Sequence, residues 1–151
     1  IPSSLVGSEM CIRDRIYIAG PLFNKHEQTY LEEIAKELEG NGYDCFLPHR
    51  DQTGIDESEL EGTDMSQETK DRIFRNDLNA LEAADLTVAL LTGQDIDSGT
   101  SAEIGHTFAK QKPVIAINAY ERRYRNLFVE GMLTVTVNEI SEIIPEIEKL
   151  G

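Results

Sequence analysis

The sequence predicts an α/β fold in which one doubly wound sheet of five parallel strands forms a single domain. Short apolar runs alternate along the chain with amphipathic segments of about ten residues or more. Such alternation implies right-handed crossovers between parallel strands rather than hairpins. The length of 151 residues is sufficient for one domain with a substantial buried core.

The first strand and helix are clearly delimited. The apolar run at 16–19 predicts a short buried strand, which Gly20 and Pro21 end. Residues 27–38 carry apolar side chains at the 3.6-residue spacing of a helix. The Gly-Asn-Gly run at 40–42 then ends that helix.

The middle of the chain supplies two strands, a loop and a long helix. Residues 43–47 form the second strand, and the polar, acidic segment 49–66 has the length of a functional or mobile loop. Residues 67–84 predict a helix whose inward face is apolar. The continuous apolar run at 86–91 predicts a fully buried third strand. The residues expected on the inward face of the helix are Ile73, Leu78, Leu81 and Ala84.

The last third repeats the alternation. A helix is predicted at 102–110, a fourth strand at 114–117, a fifth strand at 133–137 and a closing helix at 140–150. These elements complete a compact sheet, and the strand order that we expect for it is flavodoxin-like, as in other Rossmann-like folds.

The first fifteen residues differ from the rest. They lack strand alternation, a helical face and the basic and apolar regions of a signal peptide. The string SSLVGSEMCIRDR within them resembles translated sequencing-adapter read-through. We therefore interpret residues 1–15 as a non-native segment and residues 16–151 as the functional domain.

Composition excludes several classes of partner. The formal net charge of −14 argues against nucleic acid and anionic membranes, which require basic surfaces. No apolar run approaches the roughly 18 residues of a membrane span.

Two cysteines do not form a disulfide framework, so a reducing cytoplasm is expected, and Cys45 is expected in the core. The three histidines are scattered along the chain, which argues against a zinc site.

The stretch 95–106 is the strongest candidate for chemistry. It joins a buried strand to a helix, and ligands of open α/β sheets bind at that edge. Glu103 is expected in the first helical turn, where the helix dipole favours an ionised carboxylate that can act as a nucleophile or base. The structural alternative is a capping box formed by Thr100 and Glu103. Asp97 has a similar alternative as a helix N-cap, and Asp77 as a solvated helix residue.

Motifs from residue 16 to about residue 144 carry a resemblance to a known family. In chain order they are Ile16 to Phe23, Pro48 with Gln52, Asn76-Asp77-Leu78, Asp97 to Thr100 with Glu103-Ile104-Gly105, Lys112-Pro113-Val114, and Asn126-Leu127. Together, at this order and spacing, they resemble the nucleoside 2-deoxyribosyltransferase family. One departure is Phe128, where the bacterial transferases carry an acidic residue.

The resemblance implies a reaction and roles for particular residues. Glu103 is the implied nucleophile at C1′ of deoxyribose, Asp77 the acid that protonates the departing base, and Tyr17 the hydroxyl that holds Glu103. Without the resemblance, Tyr17 is a packing residue and Gln52 a loop residue. The implied substrate-binding residues are Asp97, Gln52 as a base-reading amide, Asn126, Gly20, Phe23 and Gly99.

The implied partners are deoxynucleosides and free nucleobases, used in nucleoside salvage with no metal or organic cofactor. Asn126 is implied to complete a neighbouring subunit's site, which requires a homodimer or a larger homo-oligomer. One alternative is an N-glycosidase that hydrolyses 2′-deoxynucleoside 5′-monophosphates, with Arg50, Arg122, Arg123 or Arg125 as phosphate ligands. A second alternative is a nucleotide-binding module without catalysis.

Overall fold

The computed structural model describes residues 14–60, 64–93, 95–118 and 126–151. Most of the N-terminal segment (residues 1–13), together with Arg122, Arg123 and Arg125, lies outside these ranges. The strands of the described part are β1 (Arg15–Ala19), β2 (Asp44–Phe46), β3 (Leu86–Leu91), β4 (Val114–Asn118) and β5 (Val135–Val137). Its helices are α1 (Lys25–Glu39), α2 (Glu57–Leu60), α3 (Gln67–Ala83), α4 (Ser98–Ala109), α5 (Leu127–Gly131) and α6 (Ile143–Leu150), the last preceded by a 3₁₀ turn at Ile140–Glu142.

The strands form one parallel sheet in the order β2-β1-β3-β4-β5, which confirms the predicted fold class and the flavodoxin-like order. In the register of the central pair, Ile16 lies opposite Leu86 and Ala19 opposite Ala89. The chain leaves β1 towards β2 on one side and continues from β3 towards β4 on the other. The direction of winding therefore switches between β1 and β3, and a crevice is expected beyond the carboxyl ends of those strands.

Both faces of the sheet are buried, as a doubly wound sheet requires. Alternate residues of β1 point to opposite faces, so Ile16 and Ile18 pack in the cluster that α1 and α6 cover. Tyr17 and Ala19 pack in the second cluster, with residues of α3 and α4. This arrangement explains why all six residues of β3 are buried.

Most element boundaries lie within three residues of the predicted ones, and the differences have local causes. Helices α2 and α5 were not predicted because neither exceeds five residues, too short for a helical stripe. Cys45, Leu81 and Ala84 are buried as predicted. In contrast, Ile73 and Leu78 are only partly buried, and Leu78 faces a cavity beside α4.

Lys112 closes the C-terminal end of α3 from the loop before β4. Its ammonium donates to the carbonyl oxygens of Glu82 at 2.6 Å and Ala84 at 2.7 Å. The last carbonyls of a helix have no partner within the helix, and a cation also complements the negative end of its dipole. The Lys-Pro sequence thus has a structural role here.

We expect Lys112→Met to lower the free energy of unfolding by about 1–3 kcal/mol, because it removes two charge-assisted hydrogen bonds. Urea denaturation measures the change. Lys110→Met is the control, since its exposed ammonium lies 4.0 Å from the Glu82 carboxylate and should contribute less than about 1 kcal/mol. Equal losses in the two variants would contradict the capping role.

Candidate active site

A cavity of about 370 Å³ lies between α3 and α4 over β1. Its lining residues are Tyr17, Phe74, Asp77, Leu78, Leu81, Gly99, Ala102, Glu103 and His106. The three residues to which the resemblance gave catalytic roles therefore line one cavity, although they are far apart in sequence. The cavity wall is mostly apolar, so the two carboxylates face a poorly solvated space.

The start of α4 differs from the predicted one. The helix begins at Ser98, and Asp97 is its N-cap, accepting from the Thr100 backbone amide and from the Thr100 hydroxyl, each at 2.9 Å. Glu103 is therefore in the second turn, so the predicted first-turn position and the capping box between Thr100 and Glu103 are both wrong. The alternative role of Asp97 as an N-cap is confirmed.

The Glu103 carboxylate is instead held by a residue of strand β1, over which α4 packs. The Tyr17 hydroxyl donates a hydrogen bond to Oε2 of Glu103. Tyr17 is completely buried, and its ring stacks on Phe46 with centroids 5.7 Å apart, so the position of its hydroxyl is fixed by packing. Burial and the adjacent carboxylate raise the pKa of Tyr17, which keeps the phenol a neutral donor.

The backbone of Glu103 is held by two buried threonines. The Thr107 hydroxyl donates to the Glu103 carbonyl at 2.9 Å, and it lies 2.7 Å from the Thr87 hydroxyl of β3. Because Thr107 uses its hydrogen on Glu103, Thr87 is the donor between the two threonines. This chain of hydrogen bonds fixes the turn of α4 that carries Glu103 against the sheet.

The electrostatics of the cavity favour a protonated carboxyl. The pKa of Glu103 is raised from 4.5 to about 7, mainly because burial disfavours its charged form. The Tyr17 hydroxyl opposes that increase, whereas the nearby Asp77 and Asp97 carboxylates add to it. Burial also raises the pKa of Asp77, while a hydrogen bond from Gln52 lowers it. Two carboxyl groups with raised pKa values in one cavity are suited to exchange protons with a ligand near neutral pH.

Gln52 reaches Asp77 from the loop after β2. Its Nε2 donates to Oδ1 of Asp77 at 2.8 Å and to the Pro48 carbonyl at 2.8 Å. Asn76, the residue before Asp77 on α3, donates to Oε1 of Gln52 at 3.0 Å. The loop and the helix thus meet at Asp77.

The other predicted site residues occupy different surroundings. Gly99 lines the cavity at the start of α4. Gly20 is buried against α1, and a Cβ atom added to it would lie only 2.7 Å from the Leu31 side chain. Close packing is therefore sufficient to explain a glycine at this position. Phe23 is 77% exposed in the loop after β1. Asn126 is the N-cap of α5, where its Oδ1 accepts from the Val129 amide at 3.1 Å.

Five residues that line the cavity were not predicted as site residues: Phe74, Leu78, Leu81, Ala102 and His106. Phe74 is 66% exposed on α3, and His106 lies on α4 with Nε2 3.6 Å from a carboxylate oxygen of Glu82. Helical spacing was the available signal, because residues three apart share a helix face: Phe74 with Asp77, and His106 with Glu103.

Within the described ranges, no cluster of three or more histidine, cysteine, aspartate or glutamate side chains is placed to hold a metal ion. Likewise, none of the helices seen in that part of the chain has the length and apolar character needed to cross a membrane.

Comparisons with known proteins bear on the family and the fold. The family model for nucleoside 2-deoxyribosyltransferase matches residues 16–143. A nucleoside deoxyribosyltransferase from Limosilactobacillus fermentum is 30% identical over 108 residues, which cover 68% of this chain and 64% of that protein. The chain therefore matches somewhat less than two thirds of that relative's length.

Solved structures show the same fold. A 2-deoxyribosyltransferase from Bacillus psychrosaccharolyticus superposes with a TM-score of 0.72 at 25% identity, over 85% of this chain and 89% of that one. A conserved protein from Enterococcus faecalis gives a TM-score of 0.74 at 24% identity, over 91% and 98%. The CMP N-glycosidase BcmB from Clostridium botulinum gives 0.57 at 20% identity, over 89% and 98%.

Proposed function

Because the chain belongs to the nucleoside 2-deoxyribosyltransferase family, we propose that it transfers 2-deoxyribose between nucleobases through a covalent intermediate on Glu103. The observation that carries the proposal is the shared cavity of Glu103 and Asp77, in which each carboxyl has its own hydrogen-bond donor. Two separately held carboxyl groups allow one to act as nucleophile while the other acts as acid.

In the first step, an oxygen of ionised Glu103 forms a bond to C1′ as the bond from C1′ to the base nitrogen breaks. The electron pair of the broken bond goes to the base, and Asp77 gives that base a proton. Positive charge that develops on the sugar ring is stabilised by the adjacent Glu103 carboxylate. Tyr17 holds the carboxylate in place while the charge moves.

In the second step, a nitrogen of the incoming base attacks C1′ and Glu103 leaves as a carboxylate. Asp77, now ionised, takes the proton that the incoming base releases. Two displacements at C1′ restore the original anomeric configuration. The proton and charge balance is complete without a metal or an organic cofactor.

The same proposal places the reaction in nucleoside salvage in the cytoplasm. It also includes a homo-oligomer in which Asn126 of one subunit completes the site of a neighbouring subunit. Two observations support the oligomer. Asn126 is not among the residues that line the cavity of its own chain. Leu127 and Phe128, which follow it, are 73% and 81% exposed, and such apolar exposure favours burial against a partner.

The test is incubation with a deoxynucleoside and a free acceptor base, followed by chromatography. The proposal predicts the exchanged nucleoside. Release of free deoxyribose without exchange, for every purine and pyrimidine pair, would instead support the N-glycosidase alternative.

We expect higher kcat/KM for deoxynucleosides than for their 5′-monophosphates, by about tenfold or more, which corresponds to about 1.4 kcal/mol. Two amides at the start of α1, where a phosphate could bind, are already used: Asn24 accepts from the Glu27 amide at 2.9 Å and Glu27 from the Phe23 amide at 3.1 Å. Arg50 pairs with Glu39 at 2.7 Å and with Asp51 at 2.8 Å.

Side-by-side rates with thymidine and thymidine 5′-monophosphate, and with deoxyinosine and its monophosphate, measure this preference. Faster turnover of the monophosphates would overturn it and favour the glycosidase.

Tyr17→Phe should move the acid limb of the kcat/KM profile to higher pH. The hydroxyl favours ionised Glu103, so its loss raises the pKa of Glu103 above about 7 and leaves less nucleophile at low pH. We expect about tenfold loss at pH 6 and much less at pH 9, the size of one charge-assisted hydrogen bond. Tyr30→Phe, on the other face of the sheet, is the control. An equal loss at both pH values would contradict this role.

A further inference from the structure

Two side-chain amides beside Asp77 have orientations that chemistry alone determines. Nδ2 of Asn76 lies 2.9 Å from the Thr53 carbonyl oxygen and 3.0 Å from Oε1 of Gln52. A backbone carbonyl only accepts hydrogen bonds, so the atom of Asn76 that faces it must be the NH₂ group. The atom of Gln52 that meets the same NH₂ group must in turn be its oxygen.

The other end of Gln52 is fixed by the same logic. Its NH₂ group lies 2.8 Å from the Pro48 carbonyl oxygen, and 2.8 Å from Oδ1 of Asp77. Both amide hydrogens are therefore committed, one to the loop and one to the carboxyl group. Gln52 has no hydrogen left with which to read a base, so its expected role as a base-reading amide requires this network to break.

This network makes the two oxygens of Asp77 unequal. Oδ1 accepts a hydrogen bond from the Gln52 NH₂ group. If Oδ1 carried the proton, its O–H hydrogen would face this NH₂ group, which is itself a donor. When Asp77 is protonated, the proton is therefore placed on Oδ2. A carboxyl group that exchanges its proton with a base held in one position benefits from such a fixed arrangement.

We propose that Asn76 is a positioning residue for the departing base: it orients the Gln52 amide, which holds Asp77 with Oδ1 as acceptor and Oδ2 as proton carrier. This inference rests on the proposed function, and it adds to it by assigning Gln52 to the acid rather than to the base. Asn76 does not line the cavity, so it acts through Gln52.

The helix offers a matched control in Arg72, which is one turn before Asn76 on the same face of α3. Arg72 also packs on the loop, since a Cβ atom added to Gly54 would lie 2.6 Å from its guanidinium. It contacts the loop without belonging to the chain of amides that ends at Asp77. Arg72→Met therefore disturbs the docking of the loop but spares the amide network.

The experiment compares ordinary bases with bases whose departure depends less on protonation: 2′-deoxyguanosine against its 7-methyl derivative, and thymidine against 2′-deoxy-5-fluorouridine. The variants are Asn76→Ala and Asn76→Asp, with Arg72→Met as control. Asn76→Asp has the same shape but its carboxylate cannot donate to Gln52. It therefore favours the flipped Gln52 amide, in which the NH₂ group faces residue 76 and the oxygen faces Asp77. Thermal unfolding of each variant accompanies the kinetics.

We expect both Asn76 variants to lose about tenfold or more in kcat on the ordinary base, part of the roughly 10²–10⁴ that general acids contribute. On the activated base the loss should be below about threefold, and Arg72→Met should change little with either. Three results would overturn this inference and leave the proposed function standing. They are equal losses on both bases, no loss on either base, and failure of both Asn76 variants to fold. A wild-type protein inactive on all four nucleosides would overturn the proposed function, and this inference with it.

Discussion

Glu103→Gln is expected to lower kcat by about a thousandfold or more while the protein stays folded. The amide keeps the shape of the side chain and still accepts from the Tyr17 hydroxyl, but it has no anionic oxygen to attack C1′. The measurement is single-turnover formation of free base. Glu82→Gln, on the exposed surface of α3, is the control, and an active Glu103→Gln enzyme would refute the nucleophile assignment.

The same substitution should stabilise the protein above neutral pH. Because the folded-state pKa of Glu103 is raised from 4.5 to about 7, the native state binds more protons than the unfolded state between those values. Its free energy of unfolding therefore falls as pH rises through that window. Glutamine does not titrate, so Glu103→Gln should exceed the wild type by about 1–3 kcal/mol at pH 8, with the gap closing below pH 4.5. Urea denaturation at both pH values measures this gap.

Asp77→Asn should cost about 10²–10⁴ in kcat on ordinary bases, the range of general-acid catalysis. An asparagine oxygen can still accept from Gln52, so the loop and α3 should remain joined. The loss should be much smaller on 7-methyl-2′-deoxyguanosine, whose base needs no proton to leave. Asp71→Asn is the control on the same helix, where the exposed carboxylate only accepts from Gln67 at 2.8 Å. A comparable loss in both variants, or on both substrates, would contradict the acid role.

Elements with a strong local signal were predictable from sequence. Strand β3 was predicted at its observed bounds, because six consecutive apolar residues match a strand that is buried on both faces. The start of α4 was misplaced because Asp97 and Thr100 both satisfy the rules for an N-cap. The structure resolves the choice, since the helix begins at Ser98 and the Thr100 backbone amide donates to Asp97, which places Thr100 inside the helix.

Apart from the stretch 95–106 that carries Glu103, the candidate site was predictable only where the family resemblance supplied it. Tyr17, Asp77 and Glu103 belong to separate elements, and no local pattern states that a strand tyrosine reaches a helix glutamate 86 residues later. The link between Gln52 and Asp77 depends on the path of the loop between β2 and α3. Hydrogen bonds to the backbone carbonyls of Pro48 and Thr53 hold this loop, and backbone carbonyls leave no signal in the sequence. Its detection therefore required the folded chain.

The most direct test of the account is the mass of the protein trapped with a slow substrate, a 2′-deoxy-2′-fluoroarabinosyl nucleoside. Fluorine next to C1′ destabilises positive charge on the ring, which slows both displacements and allows the intermediate to accumulate. The account predicts a single glycosyl adduct that maps to the peptide containing Glu103, is absent in Glu103→Gln, and disappears when a free base is added. Turnover of the natural substrate without any adduct, or an adduct on another residue, would contradict it.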